Sequence, residues 1–218
     1  NNPKNPLLLL LAISNLMEYN RIVFHKIAFQ KGCVIMYEHL IEHCVEKNVI
    51  YSGRIIEVRN DTVRLPNGNL AGREVVDHCG GVTIAALTED NCLLFVRQYR
   101  YPHDEVLLEL PAGKLEKGED PFEAGKRELL EETGAVGKDY RFMGIAYPSP
   151  GCYKEELHLY ACRVASLGEY CPDEDEFLDV EKIPLNEAIA MCMRNEIPDA
   201  KTQILLLKVA RLVEQGEL

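Results

Sequence analysis

The pattern of apolar and polar positions changes character once along the chain. Up to about residue 35 it shows no strand alternation, no helix cap and no turn logic. Leu7–Ile13 is an apolar run, far short of the roughly 20 residues that a membrane-spanning helix needs. No small-x-small cleavage site follows it. Met36-Tyr37-Glu38-His39 has the look of a natural start. Residues 1–35 therefore read as an atypical extension, disordered or not part of the native protein. A weak membrane-associating helix is the other reading of that run.

Beyond Met36 a period of two takes over. Val49–Val58 alternates as a strand, as do Asp61–Leu65 and Arg73–Val76. Pro66-Asn67-Gly68-Asn69 lies between the last two and predicts a hairpin turn with positive φ at both Asn67 and Gly68. Val82–Leu87 and Cys92–Tyr99 are β-branched, aromatic or apolar runs split by Glu89-Asp90-Asn91, a second hairpin. Tyr140–Ala146 and Leu157–Val164 predict further strands. Helices are predicted over Pro121–Thr133, Leu185–Arg194 and Ala200–Gln215. No repeat and no regular strand–helix alternation is present, so the class is α+β. Residues 36–78 are expected as a small antiparallel β domain and 79–218 as the main domain.

Composition narrows the function classes. A 47% hydrophobic share is that of a globular chain. Acidic residues outnumber basic ones 35 to 24, a net charge of −11, which argues against a nucleic-acid partner held by phosphate neutralisation. The eight cysteines include no zinc-ligand spacing and read as reduced thiols of a cytoplasmic protein. The acid is concentrated. Asp104–Glu132 holds ten acids against four bases, and Asp173–Glu181 six against none.

The first concentration contains PAGKLEKGEDPFEAGKRELLEETGA, residues 111–135. Asp120 suits an N-cap, Pro121 the first helical position, Glu123 a capping box and Gly134 the left-handed residue after the helix. Glu128, Glu131 and Glu132 then share one helix face, where like charges repel by about 0.2–0.5 kcal/mol per pair. A divalent cation relieves that repulsion. Hard oxygen donors without His or Cys point to Mg²⁺ or Mn²⁺. A solvated acidic face is the alternative for the triplet taken alone.

The triplet is not alone. Gly113, Glu119, Arg127, Glu128, Glu131, Glu132 and Gly134 stand at the spacing G-x5-E-x7-R-E-U-x-E-E-x-G-U. With residue frequencies near one in fifteen, a chance match is of order 10⁻⁸ per starting position. This stretch resembles the Nudix box, with Ala135 smaller than usual at the last apolar position. The resemblance implies a mixed sheet between helices, an α/β/α sandwich. It also implies hydrolysis of a nucleoside diphosphate linked to another moiety, with two to three Mg²⁺ or Mn²⁺ ions. It implies Glu128, Glu132 and the Ala112 carbonyl as metal ligands, Glu131 as a ligand or water-orienting group, and Arg127–Glu119 as a supporting ion pair.

Signals outside the box resemble the ADP-ribose pyrophosphatase branch. Pro150 lies sixteen residues after Gly134, within Tyr147-Pro148-Ser149-Pro150-Gly151, and Arg97-Gln98-Tyr99-Arg100-Tyr101-Pro102 lies upstream. This likeness implies that Arg100 contacts substrate phosphate; the alternative is a surface arginine at a strand end. Asp173-Glu174-Asp175-Glu176 has the shape of the branch's catalytic loop, which makes Glu174 the general base and Glu176 a metal ligand. Glu131 is the competing base, and a solvated acidic loop is the bland reading. Glu155 would orient the reacting phosphate. Residues 48–78 resemble the branch's small β domain, which joins two chains in a homodimer and holds the adenine. Here Arg54 stands where an aromatic is expected, and an arginine plane can also stack on a base. Arg73-Glu74 resembles a pair near the substrate, or is a cross-strand ion pair.

The expectation is a cytoplasmic, Mg²⁺-dependent ADP-ribose pyrophosphatase, homodimeric, with no nucleic-acid or membrane partner. UDP- or GDP-sugars are the alternative nucleoside diphosphate sugar substrates. A non-catalytic sensor of ADP-ribose or NAD derivatives is the alternative of another class.

Overall fold

The computed structural model describes residues 37–171 and 176–218. The expectations for residues 1–35 and for Glu174 lie outside the described residues. The described residues divide into two units, 37–53 with 57–76, and 54–56 with those from 77 onward.

In the first unit, β1 (His43–Glu46) and β2 (Val49–Ser52) both pair antiparallel with β3 (Ile56–Arg64), and β4 (Leu70–His78) lies beside β3. The single strand expected over 49–58 is thus two. The chain reverses at Gly53–Ile55, so Tyr51 pairs with Val58 and Ser52 with Glu57. Alternation continues through the reversal, which is why periodicity alone does not show it. The turn between β3 and β4 also differs from expectation. Gly68 has φ 87°, but Asn67 stays at negative φ. The Gly68 N–H donates to the Leu65 carbonyl at 2.9 Å. Pro66 occupies the second turn position, a wider loop than the two-residue form. Arg59 and Asp61 form a buried pair on β3, with Nε 3.3 Å from Oδ2.

The second unit is built on a seven-stranded mixed sheet. Its strands are β5 (Gly81–Leu87), β6 (Cys92–Arg100), β7 (Glu105–Glu109), β8 (Ala112–Lys114), β9 (Ala135–Ala146), β11 (Leu157–Leu167) and β12 (Leu178–Pro184), with the short β10 (Tyr153–Lys154) outside it. The order is β12-β6-β5-β11-β9, with β7 on β6 and β8 on β5. β5 runs parallel to β11, from Leu157 opposite Gly81 to Arg163 opposite Leu87.

Successive residues of β5 point to opposite faces. Val82, Ile84 and Ala86 pack under α1 (Pro121–Thr133) with Ala124 and Leu129. Ala85 and Leu87 pack under α2 (Leu185–Met193) and α3 (Ala200–Glu214) with Leu185, Leu205 and Val209. The three helices stand within a residue of their predicted ends. The result is the helix–sheet–helix sandwich of an α+β fold. Ala135, small for its position in the motif, is fully buried behind α1. No helix among the described residues is long and apolar enough to cross a membrane. The described cysteines are free thiols, and burial pushes the Cys162 thiol up to about 12.

Candidate active site

The site is assembled by α1 and the strand edge it faces. Asp120 caps the helix, accepting from the Phe122 and Glu123 N–H groups at 3.0 and 3.2 Å. Glu123 does not close the expected capping box. Its carboxylate pairs with Lys126 at 2.8 Å, one turn along the same face. Gly134 ends the helix at φ 68° and returns its N–H to the Leu130 carbonyl. These caps set the rotation of α1, and with it which glutamates turn inward.

Glu128 and Glu132 turn toward β8. Thr83 and Val82 of β5 hold Ala112 and Gly113 in register. The Ala112 N–H donates to Glu132 Oε2 at 3.0 Å. A Cβ on Gly113 would lie 1.9 Å from both Cδ and Oε1 of Glu128. Glu132 is 1% exposed and Glu128 8%. Burial, the leading cause, pushes the Glu132 carboxyl up to about 8 and that of Glu128 up to about 7. Repulsion from Glu176 acts in the same direction on both, so Glu176, just before β12, shares their surroundings.

Arg127 ties this face to the preceding loop. Its Nε and Nη2 donate to the two Glu119 oxygens at 3.1 and 3.3 Å. Its Nη1 lies 2.9 Å from Glu131 Oε2 and 2.9 Å from Glu128 Oε1. Glu119 also accepts from the Glu116 N–H at 2.9 Å. The Arg127 hydrogen bond holds the Glu119 carboxyl below its ordinary value.

The structure thus brings together Glu119, Arg127, Glu128, Glu131, Glu132, Ala112 and Glu176. Glu155 is near: a Cβ on Gly81 would lie 3.2 Å from the Gly113 carbonyl and 3.7 Å from Glu155 Oε1. Glu155 Oε1 is itself 3.1 Å from His78 Nδ1. Arg100 is not a free surface arginine. Its Nε and Nη2 donate to Glu109 at 2.6 and 2.8 Å, and its charge acts on Glu132. Arg54 is exposed at the reversal between β2 and β3. Arg73, in the first unit, is engaged by Glu42 at 2.9 and 2.5 Å, and Glu74, the next residue of β4, is exposed.

Glu109 and Lys201 were not among the expected residues. The signal for Glu109 was a charge inside the apolar run Val106–Leu110. Nothing local marks Lys201.

The donor set fits a hard divalent cation. Among the described residues no three His, Cys, Asp or Glu side chains are gathered around one point. Glu128 and Glu132, however, are buried carboxylates that a cation's charge would hold ionised.

Residues 77–205, more than half of the chain, match the NUDIX domain, and residues 42–76 match the nucleoside diphosphate sugar hydrolase N-terminal domain. The chain belongs to the Nudix family, and it is a hydrolase whose class acts on nucleotide sugars and related nucleoside diphosphates with divalent metal. It is 39% identical over 177 residues to an ADP-ribose pyrophosphatase of Bacillus subtilis, covering 78% of this chain and 96% of the relative. It is 41% identical over 165 residues to a methanol dehydrogenase activator of Bacillus methanolicus, covering 75% and 89%. A crystal structure of an ADP compounds hydrolase superposes with a TM-score of 0.70 over 82% of this chain and 98% of that one. At 21% identity this likeness concerns the fold.

Proposed function

We propose that this chain hydrolyses the pyrophosphate bond of ADP-ribose to AMP and ribose 5-phosphate, using two to three Mg²⁺ ions, with Mn²⁺ as a substitute. The observation that carries this reading is the pair of buried carboxylates on α1, Glu128 packed against Gly113 and Glu132 bonded to the Ala112 N–H. The near full-length likeness to an ADP-ribose pyrophosphatase supports the choice of substrate.

Glu128, Glu132, Glu176 and the Ala112 carbonyl are the proposed metal donors. Bound Mg²⁺ supplies positive charge against the pyrophosphate and acidifies water. The chain's own part is to orient and to move a proton. Glu174 takes the proton of the attacking water, with Glu131 as the competing base. Arg127 restrains Glu131 and Glu128 through its hydrogen bonds and holds the Glu119 loop on α1. Arg100 and Glu155 orient the phosphates. Arg54, Arg73 and Glu74 are the proposed contacts to the nucleoside, supplied by the small β domain of residues 36–78. A cytoplasmic homodimer completes the proposal.

The test is nucleoside monophosphate release, AMP from ADP-ribose and NADH, UMP from UDP-glucose and GMP from GDP-mannose, with Mg²⁺ and with chelator. Chelator-sensitive turnover fastest on ADP-ribose supports the reading. Preference for a UDP- or GDP-sugar reassigns the substrate. Tight binding of ADP-ribose without turnover favours a sensor, a reading against which the intact glutamates of α1 argue. Sedimentation at micromolar concentration tests the dimer.

A further inference from the structure

The strand that leads into the motif carries a carboxylate that the proposed hydrolysis does not use. Glu109, the last residue of β7, is 1% exposed. Both its oxygens are occupied by the Arg100 fork at 2.6 and 2.8 Å, and Oε2 is also bonded to Lys201 Nζ. Lys201, in the first turn of α3, pairs in addition with Asp199 at 3.0 Å. The next residue is fastened to the same turn, with the Leu110 N–H donating to Thr202 Oγ1 at 2.9 Å.

Packing does not account for a charge at this position. A buried ion pair is offset only by good geometry, and an apolar residue of like volume often stabilises as well. Leu108 and Leu110 on either side already fill the core. What the carboxylate adds is direction. A bidentate fork leaves a guanidinium little freedom, and this one engages Nε and Nη2, leaving Nη1 outside the fork. Glu109 shares Lys201 with Asp199, so two acids face two bases and what Glu109 adds to Arg100 is direction rather than net charge. The Arg100 side chain keeps 36% of its surface exposed.

We propose that Glu109 is a positioning residue: it aims Arg100 at the phosphates of the nucleoside diphosphate substrate, and Lys201 holds Glu109 in place from α3. The inference rests on the reading that Arg100 meets substrate phosphate. It adds the non-local brace, running from β6 through β7 to α3, that makes this contact possible.

The experiment is a double-mutant cycle on kcat/KM, run with whichever substrate of the panel the wild-type enzyme turns over fastest. Glu109→Gln is expected to lower kcat/KM about tenfold, mainly through KM. Arg100→Ala is expected to lower it about a hundredfold. The double variant should match Arg100→Ala alone, because Glu109 acts only through the arginine. Arg100→Lys, which keeps charge but not the fork, should resemble Glu109→Gln and guards against misfolding of the latter. Lys201→Met, which releases Glu109 on the α3 side, should lower kcat/KM in the same way as Glu109→Gln, through KM and by up to about tenfold; a KM unchanged from wild type removes Lys201 from the brace. Multiplicative losses in the double variant, or wild-type KM in both Glu109→Gln and Arg100→Lys, overturn the positioning role while leaving the proposed function intact. A wild-type enzyme that turns over no nucleoside diphosphate overturns both.

Discussion

Gly113 and Glu128 are in contact across the gap between β8 and α1: a methyl group on the glycine would stand 1.9 Å from the glutamate's carboxylate oxygen. The obstruction would fall on the mobile end of a side chain, so the fold can absorb it at small cost. The carboxylate cannot absorb it without leaving its place. Gly113→Ala is therefore expected to shift the melting temperature by only a few degrees, roughly the response to 1 kcal/mol in a domain of this size, and to lower kcat/KM by more than tenfold. A melting temperature that collapses while activity per folded molecule is retained would reverse this assignment.

Removal of divalent cation should make stability depend on pH in a particular direction. Burial raises Glu128 to about 7 and Glu132 to about 8, against roughly 4.3 for an unfolded glutamate. Between those limits the native state binds more protons than the unfolded one, so stability falls as pH rises and levels off above about 8. With chelator present, the melting temperature should be higher at pH 5.5 than at pH 8.5. Added Mg²⁺ should raise it more at pH 8.5, because ligands must be deprotonated to bind. Glu132→Gln should flatten the chelated profile. A flat profile in the wild-type protein would show that burial does not raise these groups.

Glu109 behaves in the opposite sense. Burial would raise its carboxyl, but Arg100 and Lys201 outweigh burial and hold it at about 2. Its contribution is present above the unfolded glutamate value and is lost as pH falls toward 2. Acid unfolding of Glu109→Gln should consequently be less steep between pH 4.5 and pH 2 than that of the wild type, measured by circular dichroism; equal slopes would count against the pairing.

Arg127 and Glu119 should act as one unit. Arg127→Met releases the loop before α1 as well as Glu131 and Glu128, and an activity loss between tenfold and a hundredfold is expected. Glu119→Gln added to it should cost little more, since interacting residues couple by about 0.5–3 kcal/mol. Fully additive losses would mean that the loop is held by something else.

The identity of the base is open to a direct comparison. Glu174→Gln is expected to lower kcat a hundredfold or more with little change in KM, the signature of a group that acts only in the transition state. Glu131→Gln, whose carboxylate is restrained by Arg127, should lose less. The reverse order of losses assigns the base to Glu131.

What could be read in the chain divides along sequence distance. Helix α1 was legible to the residue, because Asp120, Pro121 and Gly134 are local signals that act within one turn. The inward glutamates followed from their spacing on that helix. β7 and β8 were not anticipated: Glu105–Glu109 and Ala112–Lys114 are short, and their pairing is dictated by β6 and β5 rather than by their own periodicity. The reversal at Gly53–Ile55 hid inside an unbroken alternation. Among the proposed substrate contacts, Arg100 could be picked out by resemblance, but its partner Glu109 could not. Glu109 in turn meets a lysine 92 residues away, a relationship that no local rule contains.

That division has a counterpart in time. Gly113, Glu119 and the α1 glutamates lie within about twenty residues and can meet as soon as the helix docks. The parallel register of β5 with β11 and the Glu109–Lys201 contact must wait for chain far downstream, and loops of that span close slowly and at greater entropic expense. A nascent or C-terminally shortened chain would thus assemble its carboxylate face before it could aim Arg100, and cation affinity would mature ahead of substrate affinity.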